Sequence, residues 1–178
     1  MNTIITTDTP VATPARGAAH TLSILVNNQP GVLMRICQVF SRRAFNIDSL
    51  VVSEGRNANF SRMTIGISGD PQGLSQIIMQ VNKLIDVIHC SEHDGQESVV
   101  KELVMVKILA DNSQRTQALQ IIEHFGGKTV DLTPTSLIAL ISGNSTKIDA
   151  AITMFSQFEI IETVRTGKVV MARGERPT

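Results

Sequence analysis

The residues best placed to do chemistry come early, in the stretch Asn27-Asn28-Gln29-Pro30-Gly31-Val32-Leu33. Pro30 suits the first turn of a helix, where its missing N–H loses no hydrogen bond. Gly31 carries no side chain, so another group can come close to its backbone. Free amide donors at a helix start, aided by the macrodipole, attract a carboxylate. An Asn amide beside that start can accept from an ammonium group or donate to a carboxylate. Together these groups match the two charged ends of a free amino acid. The same residues also read as ordinary turn and capping chemistry, and the stretch alone leaves both readings open. A second candidate is Asn46 in Ala44-Phe45-Asn46-Ile47-Asp48-Ser49. It either fills a left-handed helix stop or reaches towards the ligand edge, from a connection expected to lead into the strand beside the first.

Other reactive residues have plainer readings. His89-Cys90-Ser91-Glu92-His93 has zinc-like residue types, but neighbours on a strand point to opposite faces and no second ligand pair accompanies them. Arg42 and Arg43 could clamp a phosphate, yet they fall near the end of a helical pattern, where cations complement the dipole. Cys37 shares an apolar stripe and reads as a small buried hydrophobe. Lys101-Glu102 and Lys147-Asp149 read as solvated charges. No nucleophile elbow, P-loop, dinucleotide fingerprint or His-Glu-x-x-His helix is present, so the sequence offers no positive case for catalysis.

The elements that must position these residues follow from apolar spacing. Leu33-Ile36-Cys37-Phe40, Leu74-Ile77-Ile78-Val81, Ala118-Ile121-Ile122-Phe125 and Ile148-Ala151-Ile152-Phe155 each line one face of a helix. Between them, residues 22–26, 47–52, 63–67 and 86–89 read as strands. So do 103–109, 129–132, 137–141, 160–164 and a final run at 169–172. The order strand, helix, strand, strand, helix, strand therefore occurs twice. It predicts an α+β chain of two ferredoxin-like βαββαβ domains, each an antiparallel sheet with its helices on one face. The polar stretch 91–98 divides them, giving a flexible arm at 1–18, a first domain at 19–95 and a second at 96–178. A bare sheet face calls for a partner, so self-association is expected.

Composition narrows the function classes. In 178 residues, sixteen Lys and Arg balance sixteen Asp and Glu. That balance argues against partners recruited by a strong basic field, nucleic acid and membrane surfaces alike. Trp and Tyr are absent and six Phe remain, so base-stacking platforms are not expected. Two cysteines without paired spacing favour a reducing, cytoplasmic setting. No apolar run approaches the ~20 residues that span a bilayer, and the Thr-, Ala- and Pro-rich start lacks the pattern of a secretory signal.

The stretches Leu25 to Gly31 and Phe40 to Leu50 resemble the ACT domain of acetolactate (acetohydroxyacid) synthase small subunits. Ser61 to Ile65, Val81 to Val87, Glu102 to Ile108 and Val130 to Pro134 fit the same family, so the resemblance runs over about residues 20–173. It implies a non-catalytic regulatory subunit in branched-chain amino acid biosynthesis, working with a large catalytic subunit. That partner would carry thiamine diphosphate, Mg and FAD, with no cofactor or metal on this chain. It further implies a homodimer of ACT domains with L-valine as feedback effector at the pairing interface, on Asn28, Gly31 and Asn46. One departure is Ala44, where many relatives have Gly; a left-handed backbone there would cost Ala about 1 kcal/mol. A free-standing amino-acid-sensing ACT module, or a transcriptional co-regulator without a thiamine enzyme, is the alternative. The lack of a helix-turn-helix pattern and of net positive charge counts against the DNA-binding form of it.

Overall fold

A computed structural model of the chain describes residues 19–178; the arm expected at 1–18 lies outside the described residues. The first half runs β1 (Ala19–Asn27), α1 (Val32–Ser41), β2 (Asn46–Glu54), β3 (Phe60–Ser68), α2 (Pro71–Val81) and β4 (Val87–Glu92). Its four strands form one sheet in the order β2-β3-β1-β4, with every pairing antiparallel. Strand alternation sends Leu22, Ile24 and Val26 of β1, and Met63, Ile65 and Ile67 of β3, to the same side as the helices. There they close over Ile36 and Phe40 of α1 and Leu74 and Ile77 of α2. Removing the fully buried Phe40 ring would cost about 3–5 kcal/mol.

The second half repeats the plan with β5 (Ser98–Leu109), α3 (Asn112–His124), β6 (Lys128–Leu132), β7 (Ser136–Gly143), α4 (Ser145–Phe155) and β8 (Glu159–Arg165). The strand order β6-β7-β5-β8 mirrors the first sheet, and its core gathers Val104, Val106, Ile108, Ile122, Ile141, Ile148 and Phe155. A short β9 (Val169–Ala172) pairs with the opening of β5, Ser98–Lys101. The twice-repeated βαββαβ order is thus present, in two separate sheets.

Four expectations need correction. β2 is not the neighbour of β1: β3 lies between them, and β2 forms the sheet edge. The helix begins at Val32, after Gly31, so the buried stripe of α1 is Val32-Ile36-Phe40, while Leu33 is exposed and Cys37 only half-buried. Glu102 is no solvated charge: it is buried, takes hydrogen bonds from Arg165 Nε at 2.5 Å and from the Ser145 hydroxyl, and so ties β5 to β8 and α4. Its neighbour Lys101 is exposed.

The fourth correction concerns the sheet face turned away from α1 and α2, which is not bare. Thr21, Ser23 and Thr64 alternate with core residues and so lie on that face, yet all three are buried. The second half lies against it. Gly167 packs on Ser49 so closely that a Cβ at 167 would stand 2.5 Å from the Ser49 Cβ. Arg62 donates both to Ser23 Oγ, at 3.0 Å, and to the carbonyl of Thr178. Small polar residues on this face are what allow so near an approach. The outer face of the first sheet is therefore covered within the chain, and among the described residues β2 and β4 are the edges of that sheet.

Candidate functional site

The turn between β1 and α1 is built from backbone geometry that only a few residue types allow. Gly31 is the N-cap of α1 and has φ +83°, the left-handed region that favours glycine. No side chain caps this helix. The other three helices are capped by side-chain oxygens of Asp70, Asp111 and Asn144. The first-turn N–H groups of Leu33 and Met34 have no intrahelical acceptor, and both residues are exposed beside Gly31.

Asn28 stands next to these donors. Its backbone N–H donates to the carbonyl of Asn59 at 2.7 Å and its side-chain Nδ2 to the carbonyl of Ala58 at 3.0 Å. The loop between β2 and β3 is thereby pinned to the turn, and the side-chain oxygen of Asn28 is left as an acceptor. Asn27, the last residue of β1, donates its N–H to the carbonyl of Asp86 at 2.8 Å. Donors for a carboxylate and an acceptor for an ammonium thus lie side by side on an exposed rim.

Two charged residues belong to this turn and were not singled out from sequence. Arg35, one helical turn beyond Gly31, points back along α1 as helical side chains do. Its Nη2 donates to Asp86 Oδ2 at 2.5 Å, and its Nη1 lies 3.4 Å from where a Gly31 Cβ would be. The available signal was the spacing of four between Gly31 and Arg35, which sets a long cation over the helix start.

Asn46 is elsewhere. It opens β2, opposite Ser68 at the far end of β3, whereas Asn27 lies opposite Phe60 at the near end. The full length of β3 therefore separates Asn46 from Asn28 and Gly31 within one chain, roughly 26 Å at the rise of a strand. The Asn46 side chain donates to Asp48 Oδ1 at 2.7 Å and is exposed. It does not fill the left-handed stop after α1; Ala44 does, with φ +56°.

The remaining candidates are dispersed. Cys90 is buried in the first core, and burial pushes its thiol up to about 12. Glu92 pairs with His20 at 2.7 Å, while the His93 ring lies between Ser91 and Ser98. Burial, then the nearby positive charge of Arg62, lowers the pKa of His93. Among the described residues, no group of three or more His, Cys, Asp and Glu could hold a metal ion. Arg43 donates to Gln76 and Gln80 of α2, bracing the two helices together. Among the described residues no helix is long and apolar enough to cross a membrane.

The βαββαβ order and the strand order β2-β3-β1-β4 are those of an ACT-type domain. The profile of the AHAS small subunit-like ACT domain matches residues 22–89, and that of the small subunit of acetolactate synthase matches residues 101–174. An acetolactate synthase small subunit of Mycobacterium bovis is 41% identical over 157 residues, covering 88% of this chain and 94% of that protein. The Haemophilus influenzae small subunit is 39% identical over 156 residues, covering 87% and 96%. The crystal structure of the small subunit from Thermotoga maritima superposes with a TM-score of 0.81 at 33% identity, covering 89% of this chain and 99% of that one. The chain belongs to the family of acetolactate synthase small subunits, and its role is that of a regulatory subunit.

Proposed function

We propose that this chain partners an acetolactate synthase large subunit, raises its activity, and makes it subject to feedback by L-valine bound between two ACT domains. Thiamine diphosphate, Mg and FAD are assigned to the large subunit, which does the condensation of 2-oxo acids. The observation that carries the reading is the separation of Asn46 from Asn28 and Gly31 along β3, together with the sheet edge that β2 forms among the described residues. An unpaired edge strand offers a row of N–H and C=O groups to a second copy. Under a two-fold axis, antiparallel pairing of β2 with its equivalent sets the start of one strand against the end of the other. The end of β2, Glu54, pairs with Ser61 beside the Asn28 turn. Asn46 of the second copy thereby reaches Asn28 and Gly31 of the first, and each dimer holds two composite sites.

In such a site the first-turn amides of α1 receive the carboxylate, and the two Asn side chains receive the ammonium group. Aliphatic neighbours read the side chain. Valine then favours one dimer arrangement by its difference in affinity for the two states, and the large subunit reports that state as lower activity. Calorimetric titration with L-valine, against leucine, isoleucine and serine, tests the reading. Saturable valine binding should disappear in Asn28→Ala and Asn46→Ala. In the complex with the large subunit, those variants should lose feedback and keep activation. If the valine response is unchanged in both, the site assignment is wrong.

A further inference from the structure

We infer that Arg35 reads the carboxylate of the effector, with Asp86 as the residue that positions it; the inference rests on the effector site proposed above. The Arg35 backbone N–H donates to the Gly31 carbonyl at 3.2 Å, closing the first turn of α1. From there the side chain returns to the helix start, where Nη1 lies over the bare Gly31 backbone, 3.4 Å from the place a Cβ would take. The other arm of the guanidinium, Nη2, is held by Asp86 Oδ2 at 2.5 Å. Among the described residues Nη1 itself has no hydrogen-bond partner.

Asp86 is well suited to hold an arginine still. Its carboxylate is nearly buried, 11% exposed, against 45% for the Arg35 side chain. Its backbone carbonyl accepts the N–H of Asn27, so the residue that clamps Arg35 also fixes the end of β1 beside Asn28. Asp86, Arg35, Gly31 and Asn27 thus form one connected unit around the turn. A planar guanidinium can spend one edge on Asp86 and present another N–H to a second carboxylate; an ammonium, a point charge, does this less well. The presented N–H joins the free first-turn amides; Asp86 balances the charge of the guanidinium, so Arg35 contributes a directed donor and not a net positive charge.

A purely structural brace between α1 and the turn before β4 is the competing account, and it predicts that changing Arg35 affects both ends of a ligand alike. L-Valine and L-valinamide separate the two, because they share side chain and ammonium group and differ in the carboxylate. The wild-type protein should prefer valine by roughly 10- to 100-fold, the range of a charge-assisted hydrogen bond. Arg35→Gln should cut that preference by about 10-fold or more while changing valinamide affinity little, leaving the part due to the helix-start amides, and Arg35→Lys should lose less. Asp86→Asn, which frees the guanidinium and keeps the backbone bond to Asn27, should lower the preference for valine and change valinamide affinity little. Arg35→Gln combined with Asp86→Asn leaves no unpaired buried charge, so the comparison stands even if Arg35→Gln alone folds poorly. Equal weakening of valine and valinamide in the Arg35 variants would overturn the inference and leave the effector site standing. No valine binding by the wild-type dimer would overturn the effector site and the inference together.

Discussion

Replacing Gly167 by Ala should disrupt the contact between the two halves of the chain, for two separable reasons. Gly167 has φ +83°, and an L side chain in that left-handed region costs roughly 1–2 kcal/mol. The new Cβ would also stand 2.5 Å from the Ser49 Cβ, where carbon atoms prefer about 3.5–4.0 Å. Ser49 is itself seated on Gly66, its Oγ filling the space a side chain at 66 would take. Overpacking of this kind adds roughly 1–3 kcal/mol. Urea unfolding of Gly167→Ala, Ser49→Gly and the double variant forms a double-mutant cycle that divides the loss. Ser49→Gly should recover the overlap part and leave the backbone part. Stability of Gly167→Ala within about 0.5 kcal/mol of the wild type, or no coupling to Ser49→Gly, would refute the packing described.

Two further outcomes follow from burial. Cys90 is 2% exposed and its thiol is pushed up to about 12, so a disulfide reagent near neutral pH should modify the half-buried Cys37 first and reach Cys90 only on unfolding; equal rates would contradict this. Burial alone would raise the pKa of Glu102, but hydrogen bonds from Arg165 and Ser145 outweigh it and hold the group below its ordinary 4.5. Its stabilisation is therefore complete above that value and is lost as pH falls through the lower folded value. The stability difference between wild type and Glu102→Gln, followed by urea midpoints, should shrink on acidification below pH 4.5 and stay level above it.

Much of the fold was legible because its periodicities are clean. Four apolar stripes gave four helices, and the order of strands between them gave both βαββαβ units. The misreadings share a physical cause: a side chain's partner lies far away in sequence. Glu102 looks like a surface charge until Arg165, on β8, is brought beside it. The polar outer face of the first sheet looks bare until Gly167 is laid on Ser49. Leu33 fits an apolar stripe with Ile36, Cys37 and Phe40, but Val32 lies four residues before Ile36 and fits one equally well, and the packing turns Val32 inward. At the candidate site, the helix-start chemistry of Asn28 and Gly31 was local and readable. The place of Asn46 depends on strand order, which periodicity does not encode, and here β3 intervenes between β2 and β1. Ala44 was the reverse case: departure from a familiar Gly marked a position that is left-handed, at φ +56°.

The central claim is that an effector site takes Asn28 and Gly31 from one copy and Asn46 from another. Coexpression of an Asn28→Ala chain with a differently tagged Asn46→Ala chain tests it most directly, by calorimetric titration of the purified mixed dimer with L-valine. The mixed dimer has one composite site with both Asn residues intact and one with neither. It should therefore bind one valine per dimer at wild-type affinity, while each homodimer of the same variants binds none. A mixed dimer as inert as its parents would contradict the claim, because sites confined to one chain are damaged in every subunit.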